Sequence, residues 1–203
     1  MLKLFSLLVF VASCALGPGN FESRQAADLT TRNVKRIAVL PLEPVGLGEK
    51  APDTASVLSS FLQSTMASMP HWQIVSDREV REVAGQLSGA DGRARARKLG
   101  ELVYADAILT GRILRFRERV GESWGAKSPA SVALVLELWD VKQGDLIWSG
   151  RFVETQRALS ENIFALGEVA QRGLRWLKAE ELAQEGIKKA VHQLHQSLYR
   201  KSA

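Results

Sequence analysis

The strongest nucleophile available to this chain of 203 residues is a single thiol, Cys14. One cysteine excludes an internal disulfide and any cysteine-built metal cluster. Other groups that could do chemistry are scattered. His192 and His195 share one face of a predicted helix and would supply half a metal site. No carboxylate of that helix completes it, so the pair reads as a solvated face and no metal is expected. Gly46-Leu47-Gly48-Glu49-Lys50 follows a predicted strand but lacks the Gly-Lys-Ser/Thr ending of a phosphate loop. Asp106, Glu137, Asp140 and Asp145 fit turn and edge positions, and their spacing singles out no acid/base pair. There is no S-x-x-K or dinucleotide fingerprint. The expectation is a protein that is not an enzyme and carries no cofactor.

The setting of Cys14 gives the thiol a different use. Lys3 precedes an apolar run from Leu4 to Val11, which Gly17, Pro18 and Gly19 end shortly after the cysteine. Such a run has the length of a signal-peptide core. It falls well short of the roughly 20 apolar residues that span a bilayer as a helix. Val11-Ala12-Ser13-Cys14 resembles a bacterial lipobox, in which small residues admit a peptidase and the thiol takes diacylglycerol. The resemblance implies cleavage before Cys14 and acylation, with palmitate among the chains. Each buried methylene contributes about 0.8 kcal/mol, so two or three chains anchor almost permanently. Ala15 stands where the enterobacterial inner-membrane retention signal has Asp, which implies the periplasmic face of the outer membrane. Residues 1–13 are thus expected to be a signal peptide and 14–33 a lipidated, polar tether, reaching at most about 60 Å when extended.

The formal charge is +5, and +4 once Lys3 is removed with the signal. Arg93-Ala94-Arg95-Ala96-Arg97-Lys98 is the densest basic cluster. It lies on a helical pattern whose apolar side is Leu99, Leu102 and Val103, so it reads as a solvated face. No nucleic-acid partner is expected.

The residues from 34 to 203 are expected to form one α/β domain. Arg36 to Leu42 is a continuous apolar run, as buried strands are. Asp53 opens a helix with Leu58, Phe61, Leu62, Thr65 and Met69 on one face, ended by Pro70. Strand 72–76 and a helix from Arg78 follow, with Asp77 as the expected N-cap, then a turn over 87–92 and a helix over about 93–103. Strands are predicted over 106–117, 132–139 and 146–155, the last two joined by a turn at Asp140–Asp145. Residues 156–178 read as helix and turn, and 179–199 as a long final helix with Ile187, Ala190, Val191, Leu194 and Leu198 in one stripe. The order β-α-β-α-α-β-β-β-α implies one mixed sheet of about five strands covered by helices, with a right-handed crossover between the first two strands.

Three stretches, "RIAVLPLE" at 36–43, "ARKLGELVYADAILTGRI" at 96–113 and "LELWDVKQGDLIWSGRF" at 136–152, carry a resemblance. Together they resemble the periplasmic α/β domain shared by the curli secretion-channel subunit, the lipoprotein activator of penicillin-binding proteins and the N-terminal domain of the Tol translocation protein. The resemblance implies a fold and an envelope setting, and assigns no site residues. A curli-type pore needs added transmembrane strands of about 9 to 11 residues each. "ERVGESWGAKSPA" is too short for such a hairpin.

The expected function is therefore a non-catalytic accessory lipoprotein that binds an envelope protein in assembly or secretion. The alternative is a ring-forming, curli-type secretion subunit or an auxiliary lipoprotein of an envelope transporter, in which copies form a homo-oligomer. Trp124, in the Gly/Ser/Pro-containing loop "GESWGAKSP", is the candidate partner contact, since aromatic residues dominate interface hot spots. Trp72, Trp139 and Trp148 are expected in the core.

Overall fold

The structure is a computed structural model, and it describes residues 20–47, 51–85, 92–122, 125–156 and 176–199. The strands are β1 (Phe21–Gln25), β2 (Arg36–Val39), β3 (Glu43–Pro44), β4 (Gln73–Ile74), β5 (Ala107–Arg117), β6 (Val120–Glu122), β7 (Gly125–Ser128), β8 (Ser131–Asp140) and β9 (Leu146–Thr155). The helices are α1 (Ala51–Ala67), α2 (Asp77–Ala84), α3 (Gly92–Leu102) and α4 (Ala179–Tyr199).

Strand β2 shows why the chain folds in three layers. Ile37 and Val39 point into a core shared with α1 and α4, while Ala38 and Leu40 point into a second core with Val80 of α2 and Leu99 of α3. A strand buried on both faces has no room for polar alternation, hence the unbroken apolar run. The sheet is mixed, in the order β1-β9-β8-β5-β2-β4, with β3 beside β5. β2 runs parallel to β4 and β5, and β5, β8 and β9 form an antiparallel meander. Gly111 lets β5 pass close under its neighbours: a Cβ there would collide with the side chains of Leu42 and Leu136. The α/β class with a single helix-covered mixed sheet is the one expected.

Four details differ from expectation. The main sheet has seven strands rather than about five, because β1 and β3 are short additions to it. Residues 21–31 are not tether. β1 pairs antiparallel with β9, and Leu29–Thr31 form a 3-10 turn that buries Leu29 in the main core. Helix α2 is capped by Ser76 instead of Asp77; the Ser76 hydroxyl accepts from Glu79 N at 3.3 Å, and Asp77 is already helical and paired with Arg81. Finally, the stretch read as the loop "GESWGAKSP" includes Gly121–Glu122 of β6 and the whole of β7, which pair antiparallel.

The final turn follows the expected chemistry. Gly144 has φ +71°, a left-handed conformation that glycine adopts without strain. Its N–H donates to Asp140 O at 2.9 Å, and Asp140 Oδ2 accepts from Gln143 N at 2.7 Å. Among the described residues no helix is long and apolar enough to cross a membrane.

Candidate functional site

Cys14, with Val11, Ala12 and Ser13, lies outside the described residues, as does Trp124. The hairpin that flanks Trp124 is described. Gly121 faces Ala126 and Glu122 faces Gly125 in this hairpin, which follows β5 in the chain. Glu118, at the base of that hairpin, accepts from Ala179 N at 3.2 Å through Oε2. It thereby satisfies one of the free N–H groups of the first turn of α4.

A cleft opens where β2 ends. Its walls are Leu40, Pro41 and Leu42, the α1 residues Ser56, Ser59, Ser60 and Gln63, and Asp77 and Arg81 of α2, enclosing about 280 Å³. Clefts at the carboxyl ends of parallel strands are where ligands bind in α/β sheets. The hydroxyls here are largely committed. Ser59 Oγ donates to Ala55 O at 2.6 Å and accepts from Leu42 N at 2.8 Å, which ties α1 to the end of the strand. Ser60 Oγ donates to Ser56 O at 3.1 Å, and Gln63 Nε2 to Val75 O at 3.4 Å. Among the described residues no histidine lines the cleft, and the Asp77 carboxylate there is paired with Arg81.

The two candidate histidines part company. His192 is exposed, whereas His195 is half-buried in an aromatic cluster. Its ring lies edge-on to Trp72 at 5.2 Å and tilted against Tyr199 at 4.8 Å, and its Nε2 contacts Pro70 O at 3.1 Å. Tyr199 Oη donates to Val34 O at 3.2 Å; burial raises the phenol above its ordinary pKa. This cluster fastens the end of α4 to the β4 edge. Among the described residues no group of three or more His, Cys, Asp and Glu side chains could hold a metal.

The basic cluster lies on α3. Arg97 is exposed and spends its charge on Glu101 one turn on, at 2.9 Å, and Lys98 is also exposed. Trp72 and Trp148 are buried, while Trp139 is half-buried against the second core.

One enclosed ionic group among the described residues has no signal in the sequence. Arg32 lies just past the 3-10 turn, with only 11% of its side chain exposed. Its guanidinium donates to both oxygens of Asp145, at 3.2 and 3.0 Å, to Asp28 Oδ2 at 2.8 Å, and lies 3.4 Å from Asp140 Oδ2. The bond from Arg32 holds the Asp28 carboxyl below its ordinary pKa, and the bonds to Asp28 and Asp145 raise that of Arg32. Arg32 and Asp145 are 113 residues apart, and only the fold brings them together.

No protein-family model matches the chain, and no curated protein does. Solved structures do. PelC from Paraburkholderia phytofirmans, solved as a dodecamer, aligns with a TM-score of 0.52 at 16% identity over 87% of this chain and 98% of that one. The hypothetical protein CT253 from Chlamydia trachomatis aligns with a TM-score of 0.52 at 10% identity over 83% and 99%. The C-terminal domain of LpoB from Salmonella enterica has a TM-score of 0.43 at 20% identity, covering 60% and 83%. What this chain shares with PelC and CT253 is the fold.

Proposed function

We propose that this chain is a lipid-anchored protein of the periplasmic face of the outer membrane, whose α/β domain binds an envelope protein as a non-catalytic accessory in assembly or secretion. The observation that carries the reading is Val11-Ala12-Ser13-Cys14, placed directly after a basic and then apolar start. The partner contact is assigned to Trp124, which lies in sequence between β6 and β7, because aromatic residues dominate interface hot spots.

The experiment is crosslinking in cells, comparing the wild-type chain with Trp124→Ala. The expected result is one envelope protein captured by the wild-type chain, reduced capture by the variant, and a melting temperature nearly unchanged. If Trp124 instead packs in the core, its truncation costs about 3–5 kcal/mol, as for other buried aromatics. A destabilised variant with full capture would remove Trp124 from the interface. Absence of any captured envelope protein would contradict the accessory reading.

A second reading is a ring of copies acting in transport. It is favoured by the fold likeness over 87% of this chain to PelC, which was solved as a dodecamer. The mass of the detergent-extracted protein separates the two, since a closed ring far exceeds a monomer or dimer.

A further inference from the structure

Strand β1 forms one edge of the main sheet, with β9 as its neighbour. The register is continuous from Phe21 opposite Phe152 to Gln25 opposite Trp148, with no bulge. Two bonds fix the parity of this ladder: Val153 N donates to Asn20 O at 2.8 Å, and Ala26 N donates to Ile147 O at 2.9 Å. In an antiparallel ladder the backbone groups of alternate residues point the same way. Residues 20, 22, 24 and 26 therefore turn theirs toward β9, and Phe21, Ser23 and Gln25 present N–H and C=O groups to the side on which no described strand pairs.

Proteins usually blunt such an edge with proline, lysine, a bulge or a very short strand. The opposite edge, β4, follows this rule with two residues, Gln73–Ile74. The β1 edge does not. Its sequence FESRQ contains neither proline nor lysine, and Glu22 to Gln25 are exposed. Its charges are one Glu and one Arg, two positions apart and hence on the same face of the sheet. Neither is joined by an ion pair or hydrogen bond to another described residue.

We propose that this edge pairs with the same edge of a second copy, antiparallel, about a two-fold axis at Ser23. In that register the outward groups of Ser23 meet those of Ser23 of the second copy, and Phe21 meets Gln25 in both directions. The same register sets Glu22 opposite Arg24 twice, in the non-hydrogen-bonded positions where side chains come closest. The alternatives fail on charge. Sliding by two residues one way sets Glu22 against Glu22, and the other way Arg24 against Arg24. A one-residue slip mismatches the backbone groups and turns each side chain to the wrong face. Hydrogen bonding and charge thus select one isologous register, which is the contact a two-fold dimer makes.

The test is sedimentation equilibrium of the full chain in density-matched detergent, over a range of concentrations. The wild-type chain is expected to show a monomer–dimer equilibrium. Glu22→Arg and Arg24→Glu each place like charges opposite one another twice, and each is expected to weaken dimerisation roughly tenfold or more. Both positions are exposed, so unchanged melting temperatures confirm that the variants fold. An equimolar mixture of the two variants is expected to dimerise again, because every facing pair in the mixed dimer then joins a cation to an anion. The double exchange in one chain is expected to restore it too. A wild-type chain that stays monomeric, single variants that dimerise as the wild type does, or a large ring indifferent to both substitutions would overturn the pairing.

Discussion

Arg32 shows what one side chain can do for this fold. It joins the segment before β2 to the β8–β9 turn by binding Asp145 with both terminal nitrogens, while Asp28 and Asp140 complete its surroundings. Asp140 is itself buried, at 6% exposure, so losing the guanidinium would leave a carboxylate short of a partner. Arg32→Ala is expected to cost about 1–3 kcal/mol near neutral pH, read from urea unfolding. The sign with pH follows from Asp28. Its folded-state pKa is lowered, first by the bond from Arg32, so its contribution is present above the ordinary carboxylate range and is lost as pH falls through the lowered value. The stability gap between wild type and Arg32→Ala is therefore expected to shrink as pH drops to about 3, and an unchanged gap would contradict the assignment. Sequence reading reached the neighbouring turn, because Asp140 and Gly144 carry local turn chemistry. It did not reach Arg32, whose partners are set by tertiary structure alone. The α2 cap falls on Ser76 and not Asp77 because Ser and Asp are both good caps and only backbone geometry chooses between them.

Elements were legible in proportion to their apolar period. Helix α4 spans Ala179–Tyr199 as read from its stripe, and β9 spans Leu146–Thr155 as read from its pattern. β1 reads as tether because only Phe21 of FESRQ is apolar, and an edge strand exposed along most of its length leaves no alternation to read. Gly186 of α4 tests packing against propensity. In a helix interior Ala is preferred to Gly by about 1 kcal/mol. Here, however, the added Cβ would run into the ring of Phe152 on β9. Gly186→Ala is therefore expected to destabilise by about 1–3 kcal/mol in urea unfolding, as overpacked cores do. Stabilisation would show that α4 can lift from the sheet without penalty.

At the scale of the whole molecule, the sheet is covered by α1 and α4 on one face and by α2 and α3 on the other, and both cores are apolar. The arrangement was legible because β2 has to be buried on both faces. Which surface binds was not, since exposed positions are under no packing constraint that leaves a pattern. The structure also shortens the reach of the proposed anchor. With β1 starting at Phe21, six residue steps separate Cys14 from Asn20, at most about 20 Å when extended. Under the proposed function the domain is held against the membrane, and its partner must come to that surface. The anchor is the claim on which this account rests, and it is tested by metabolic labelling with a palmitate analogue in wild-type cells and in cells carrying Cys14→Ser. The account predicts a labelled, processed wild-type chain, and an unlabelled, uncleaved precursor from the variant. Equal labelling and processing of the two would contradict it.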